Sequence, residues 1–569
     1  VTGAKDSAAS DYVVVGGGIN AMVAAARLAG AGFSVTLVEE RDRLGGFIDS
    51  GELTVPGFVH DTFSSWHPLF VASPAFAELG PELAECGLTY RNTEDAGLDA
   101  VTASVDAAPG GGERAAIAYR DPERTAAAFE HAEDAAAYAR MLEELGERSG
   151  LVFGALGTEL RSWKALRLGL SALRPGLRAA ERLARDSLMS GRNLTRLRFR
   201  GWEADQLWAP WLLHAGLGPD HATGGVMLPL MALTMHGVGL PVVEGGAGRF
   251  VEAFARLLAR RGVRVELGLP VERIAVRGGR AVAAETAVER FEARRGVLAS
   301  TSPQALYTAL LPEAAVPGQM RGQAAAYRPG RAAMQIHVAL DSPPAWTDSR
   351  LASVPLVHLS DGSGSTGVAC AQAEAGLLPA RPTVVVGQQC LLDPSRAPEG
   401  KATLWLQLQE LPFRPAGDAA GELDVSDGWT PELARGFAER VLARIEAFAP
   451  GLRSSVLGIK VISPVDLQAA NRNAVDGDPY GGSAELFQNL LWRPLPAAAH
   501  HRTAVEGLWH IGASTHPGPG LGGGSGYLVA GQILAGARRR TRRRPSSPDD
   551  AGRAASSGTE TADPYVLKH

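Results

Sequence analysis

The sequence predicts an α/β protein: a doubly wound domain assembled from three separated stretches of chain, and an α+β domain with a helical lobe lying between them. Three observations predict it. Asp11–Val15 is an apolar run suited to a buried strand, Gly16–Gly18 a turn, Ala21–Ala29 a helix and Phe33–Val38 a second strand, which together open a βαβ unit. The same architecture resumes with a helix over Arg249–Arg261, a strand at Val263–Leu267, a hairpin across Gly278-Gly279 and the apolar strand Gly296–Ala299. It closes with the strand Leu508–Ile511, the glycine-rich stretch Gly512–Gly526 and a helix over Tyr527–Arg538. The expected bounds are 8–75, 240–310 and 500–540 for the discontinuous domain, and 76–239 with 311–499 for the other.

At 569 residues the chain is too long for one core, which supports two domains. Residues 125–235 read as helical, with Leu and Arg interleaved from Arg161 to Arg200 and breaks at Pro175 and Gly191. Alternating runs at Met334–Leu340 and Ala402–Leu408 predict strands, and Pro431–Phe448 an amphipathic helix. The first ten residues read as a mobile tail. Arg538–Arg544 is a basic run, and Pro545–His569 is polar and expected to be disordered.

Hydrophobic residues make up 45% and charged residues 21%, and the net charge of −5 gives no overall attraction to nucleic acid. Only five of the 56 basic residues are Lys, so the many arginines reflect composition more than chosen contacts. Cys86, Cys370 and Cys390 are too scattered for a disulfide framework or a thiolate metal site, which suits a reducing cytoplasm. The longest apolar stretch, near Val226–Val243, is interrupted by Pro229, His236 and Pro241, so no membrane span is expected. Arginines 161, 167, 174, 178, 182 and 185, with Lys164, stand among leucines. That pattern fits a solvated face or peripheral contact with an anionic inner-membrane surface, and both readings stay open.

Gly16-Gly17-Gly18-Ile19-Asn20-Ala21 fits GxGxxG with Ala in last place, between a strand and a helix, as a dinucleotide fingerprint requires. Gly16 allows the tight turn, Gly18 lets a pyrophosphate approach the backbone, and Ala21 allows close packing of helix on strand. Glu39, 21 residues after Gly18, ends the second strand, where its carboxylate accepts hydrogen bonds from adenosine ribose hydroxyls. Arg43-Leu44-Gly45-Gly46 follows at once. A plain nicotinamide site needs no such second glycine pair, so it argues for FAD.

With these motifs the chain resembles the FAD-dependent amine oxidase and phytoene desaturase superfamily, whose first motif reads GxGxxG/A, then Glu, then Arg-x-Gly-Gly. The resemblance implies a Rossmann-like FAD-binding domain of the glutathione-reductase type, with Gly45 and Gly46 along the diphosphate and ribityl chain. It places Ile19 and Asn20 in the same loop, and Glu40, Arg41 and Arg43 beside Glu39. Gly245-Gly246-Ala247-Gly248 and Val271-Glu272-Arg273-Ile274 resemble the segment whose Val backbone meets the adenine, which makes Val271 the candidate. The stretch from Gly507 to Gly518, including Gly512 and Ala513, is similar to the closing signature "GLYLCGAGTHPG". Gly526, Tyr527 and Leu528 then start a helix whose N–H groups suit the negative charge of a reduced flavin. Leu392–Lys401, and Tyr480-Gly481-Gly482 leading to Gln488–Pro494, resemble the bacterial phytoene dehydrogenase-like subfamily. Phe47 departs from the basic or small residue of many relatives, which leaves the contacts near the flavin ring open.

The resemblance implies non-covalent FAD and an FAD-dependent oxidoreductase. The expected reaction is dehydrogenation of a hydrophobic substrate, such as a polyprenoid or carotenoid, by hydride transfer to flavin N5. Amine or secondary-metabolite oxidation by oxygen, and a redox-neutral flavin-binding isomerase, are the alternatives. Glycines 245, 246 and 248 lack a downstream ribose carboxylate, so no second nucleotide domain is expected. Tyr480 and His516 are the polar side chains the family motifs bring near the flavin, and they are the catalytic candidates. No metal is expected, and neither electron acceptor nor oligomeric state is readable.

Overall fold

The computed structural model describes residues 5–6, 9–108, 110–171, 174, 176–520 and 522–543. Pro175, Arg544 and the stretch Pro545–His569 lie outside the described residues.

The first sheet has a parallel core in the spatial order Arg264–Glu266, Val35–Val38, Ser10–Val15, Glu289–Ser300 and Leu508–Ile511. Its strands are runs of Val, Ile and Leu because both faces are covered. Val14, Leu37, Leu298 and Ile511 pack under the helices Ile19–Gly30, Gly248–Arg260 and Gly524–Arg543, through Met22, Leu28, Phe254, Leu257, Val529 and Ile533. Val13, Val15, Val38, Val297 and Ala299, one residue out of phase, face the opposite layer with Ile274, Ala284 and Phe291. That layer is an antiparallel meander of Val271–Arg277, Arg280–Thr286 and the start of Glu289–Ser300, turned at Gly278 and Gly279, both of positive φ. The long strand Glu289–Ser300 thus begins in the meander and ends inside the parallel sheet, which carries the glycine loop at its C-terminal edge.

The second sheet runs Val456–Ile462, Ala332–Leu340, Ala402–Leu411, Val384–Gly387, Leu356–Leu359, Ala100–Ala107, Glu113–Tyr119. The helix Pro431–Glu446, capped by the Thr430 side chain, covers one face through Phe437, Val441 and Ile445 on Ile336, Val338, Leu404 and Val386. The helical lobe covers the other face, with Tyr138, Leu194, Trp208, Leu212 and Leu228 against Val101, Leu356, Val385 and Trp405. The second sheet meets the N-terminal stretch of chain at a seam, residues 62–63. His337 Nε2 bonds the Thr62 carbonyl at 3.1 Å, and Gln335 Nε2 and Trp405 Nε1 donate to the Phe63 carbonyl at 3.1 and 3.0 Å.

Two end elements differ from expectation. Lys5–Asp6 pairs with Glu289–Arg290 as a short strand, so the start of the chain is not wholly a tail. The closing helix extends from Gly524 to Arg543, so the basic run from Arg538 is its last turns.

Candidate functional site

Gly16 has φ 97° and lies so close to Ser300 that a Cβ would come within 3.0 Å of its carbonyl oxygen. Gly17 N donates to Glu39 Oε2 at 2.5 Å, and Arg41 N to Oε1 at 2.9 Å. Burial, the largest influence on the Glu39 carboxyl, raises its pKa, and these two N–H groups oppose the rise. Gly18 is the extended N-cap of the first helix, and a Cβ there would meet nothing within 4 Å. No side chain caps this helix and its first turn holds no acid. Its N–H groups therefore face open space with the positive end of a twelve-residue helix behind them, the arrangement a diphosphate fits.

The second glycine pair packs onto this loop. Gly45 N donates to the Gly17 carbonyl at 2.9 Å, and the Cβ direction of Gly46 lies 3.4 Å from Gly18 Cα. Gly45 has φ 112°, and a Cβ would strike the Ile48 carbonyl oxygen at 2.5 Å. Arg43 folds back on the Leu44 and Ile48 carbonyls and lies 3.2 Å from Asp49, so its side chain braces the loop. Arg41 donates to the Ala470 carbonyl, and Glu40 pairs with Arg472 at 3.4 Å. These two sit in a surface cleft of about 450 Å³ that Pro270 also lines. Leu269 N donates to the Glu39 carbonyl at 2.9 Å, which ties the stretch just before Val271 to the strand end that carries Glu39. Phe47 packs tilted against Phe63 at the seam, the ring centroids 5.0 Å apart.

The closing motif meets the same loop. Gly526 N donates to Asn20 Oδ1 at 3.2 Å, and a Cβ on Gly526 would lie 1.8 Å from the Asn20 carbonyl oxygen. The Asn20 side chain thus joins two helix starts. Arg27 lies 3.6 Å over the Tyr527 ring and donates to its carbonyl at 2.6 Å, and Leu528 follows half-buried. Gly512, at φ 115°, donates to Ser525 Oγ at 3.2 Å, and Thr515 shares that hydroxyl at 2.6 Å. Ala513 abuts Gly481, whose Cβ direction points to Ser514 N at 3.0 Å.

Tyr480 Oη accepts from Gln409 Nε2 at 2.6 Å, and burial raises the phenol pKa. His516 Nε2 bonds the Ala155 carbonyl at 2.9 Å, and burial lowers its pKa to about 4, so the ring is neutral. His516 therefore ties the closing motif to the helix Ser149–Leu156. Gly245, Ala247 and Gly248 occupy a different environment from Gly18: Gly245 N donates to Asp393, Ala247 N to Asp61 and Gly248 N to Ser50 at 2.7, 2.6 and 2.9 Å, all within the protein.

Two groups escaped the sequence reading. Arg396 is 1% exposed and bonds Asp61 at 2.6 Å, Asp393 at 3.1 Å and the Val243 carbonyl at 2.7 Å, closing a buried triad across the seam. Arg493, also 1% exposed, donates from Nη2 to the Tyr480 and Ala513 carbonyls at 2.8 and 2.7 Å. Asp61 and Arg396 stand 335 residues apart, and arginine is too common in this chain to single out.

An uncapped helix start over open space, two glycine pairs in contact, a buried carboxylate at the strand end and a second helix start closing over them come together in one place, an arrangement that fits a dinucleotide cofactor. The family model for flavin containing amine oxidoreductases matches residues 22–435, and the chain belongs to that family. It is 28% identical over 562 residues to hydroxyneurosporene desaturase of Cereibacter sphaeroides, covering 93% of this chain and 98% of that one. It is 26% identical over 553 residues to pyridine nucleotide-disulfide oxidoreductase domain-containing protein 2 of Rattus norvegicus, covering 91% and 92%. A putrescine oxidase bound to putrescine shares the fold, with TM-score 0.58 and 16% identity over 93% of this chain and 100% of that one. The protein is thus an FAD enzyme. Among the described residues no helix is long and apolar enough to cross a membrane.

Proposed function

We propose that the chain dehydrogenates an uncharged, hydrophobic substrate such as a polyprenoid, leaving a new carbon–carbon double bond. The observation that carries this reading is the end-to-end similarity to a hydroxyneurosporene desaturase. The substrate domain supports it. His214 and His337 are pushed down to about 3 by burial, and burial holds Tyr480 protonated, so these buried groups are neutral near pH 7 and suit an uncharged ligand.

Bound FAD supplies the hydride acceptor, at flavin N5. In this reading Glu39 holds the ribose hydroxyls, and the N–H groups of Ile19, Asn20 and Ala21 face the diphosphate, with Gly45 and Gly46 beside them. Val271 meets the adenine through its backbone, with Glu40, Arg41 and Arg43 shaping that end. Gly512, Ala513 and the helix start at Gly526, Tyr527 and Leu528 stabilise negative charge at the other end. Tyr480 keeps its proton at Oη, and His516, with Nε2–H given to Ala155, offers Nδ1 as a proton acceptor.

Anaerobic mixing with candidate substrates tests the reading: polyenes are expected to bleach the bound flavin. Failure of polyenes, amines and other alkyl donors alike would remove both the desaturase and the oxidase readings. Tyr480→Phe should retain full flavin content and slow bleaching by about 100-fold or more. An unchanged bleaching rate would leave Tyr480 with only its packing role.

A further inference from the structure

The helices Trp163–Ser171 and Leu177–Leu188 bury almost nothing of themselves; among the described residues of both, Asp186 alone is buried. Trp163, Leu166 and Leu170, at helical spacings of three and four, share one face and are all exposed, as are Leu177 and Leu188 on the next helix. Trp163 at 80% and Leu177 at 78% are the most exposed large apolar side chains among the described residues. Lys164 and Arg167 flank the first apolar stripe, and Arg178, Arg182 and Arg185 flank the second. Among the described residues, Lys164, Arg167, Arg174, Arg178 and Arg182 make no ion pair.

The helix Gly248–Arg260 has the same residue types and the opposite arrangement. Its Phe250, Phe254, Leu257 and Leu258 are buried, while Arg249, Arg256 and Arg260 point out and pair with Glu252, Glu82 and Glu85. A solvated face looks like that helix. The helices Trp163–Ser171 and Leu177–Leu188 do not: they turn Trp163 and these leucines outward and leave Lys164, Arg167, Arg178 and Arg182 without an ion pair, which for an isolated domain in water is unfavourable.

We infer that this face docks on the surface of an anionic lipid bilayer. Trp163 and the four leucines enter the boundary of headgroups and acyl chains, and the arginines, reaching outward along their stems, meet the lipid phosphates. Charge decides against a second copy as the occupant, because two such faces would bring unpaired cations together. The net charge of −5 makes this a local rather than a whole-protein attraction. The segment just before these helices is tied to the rest of the enzyme: Arg161 donates to the Pro496 carbonyl at 3.1 Å, and Glu159 bonds His501 and Gln532 at 2.8 and 2.9 Å. The inference does not depend on which substrate is oxidised.

Cosedimentation of the holoenzyme with vesicles of phosphatidylcholine, with and without about one third phosphatidylglycerol, tests it. The protein should pellet with the anionic vesicles and far less with the neutral ones, and high salt should weaken the binding. The double substitution Trp163→Glu/Leu177→Glu should lower the partition coefficient at least about tenfold. The triple substitution Arg167→Gln/Arg178→Gln/Arg182→Gln should do the same while removing most of the salt dependence. Flavin absorbance equal to wild type establishes that each variant is folded. Equal partition of wild type and both variants would overturn the inference. So would a lipid-free dimer, seen by sedimentation, that Trp163→Glu/Leu177→Glu dissolves.

Discussion

Gly18 and Gly526 show how two glycines of one site can be required for different reasons. A Cβ on Gly18 would point into open space, whereas one on Gly526 would sit 1.8 Å from the Asn20 carbonyl oxygen. Gly18→Ala is therefore expected to fold with stability within about 0.5 kcal/mol of wild type and to lose flavin on gel filtration. Gly526→Ala should be destabilised by about 1–3 kcal/mol even without cofactor, because two packed helix starts must separate. Denaturant titration of both apoproteins checks the pair, and equal stabilities would contradict this division of roles. The sequence motifs singled out both glycines as cofactor candidates. They could not reveal that Asn20, in the same motif as Gly18, gives its side chain to Gly526, since 506 residues separate them. Glu39 stood out in the sequence as a candidate ribose ligand, while the turn-like bonds it accepts from Gly17 and Arg41 became visible only in three dimensions.

At the level of elements, the strands that build the nucleotide-binding sheet were readable because they are apolar runs between strong glycine turns. The bounds of Leu508–Ile511 coincide with expectation, and the first helix extends only from Ala21–Ala29 to Ile19–Gly30. The second sheet was only half readable. Val384–Gly387 and Leu356–Leu359 are four-residue strands, and Ala100–Ala107 and Glu113–Tyr119 are rich in alanine and polar residues, so neither length nor alternation marks them. What joins the two sheets is side-chain chemistry between distant elements. Arg396 links Asp61, Asp393 and Val243, and the same two carboxylates accept from Ala247 and Gly245 at the start of the helix Gly248–Arg260. Removing the cation leaves two buried carboxylates facing each other without a counter-charge. Arg396→Ala should cost about 3–5 kcal/mol in unfolding free energy and lower the melting temperature with FAD present or absent. A loss below about 1 kcal/mol would mean that water replaces the guanidinium at the seam.

Over the whole molecule, buried imidazoles set the response to acid. Burial lowers His60, His510 and His516 to about 4, and His67, His214 and His337 to about 3, against an ordinary value near 6.5. Each stays neutral in the folded protein while its unfolded counterpart takes up a proton below 6.5. The stability each contributes is thus complete above pH 6.5 and is lost as pH falls toward 4 or 3. Between about pH 6.5 and 5.5 the loss is about 1 kcal/mol per group. Glu410 acts in the other direction. Its carboxyl is raised to about 7 by burial, so the folded state takes up that proton first and gains stability as pH falls from 7 toward 4.5. Burial lowers His221, His236 and His358 as well, so the imidazoles outnumber Glu410 and the other carboxyls that burial raises, Glu39, Glu113 and Asp478, and neighbouring pairs such as His60 and His337, 5.4 Å apart, hinder each other's protonation further. The denaturation midpoint of the holoenzyme should therefore fall steeply between about pH 6.5 and 5.5, and His337→Gln should make that slope shallower. A midpoint constant over that interval would show that these rings already carry protons in the folded state, and the neutrality of His214 and His337 would have to be abandoned.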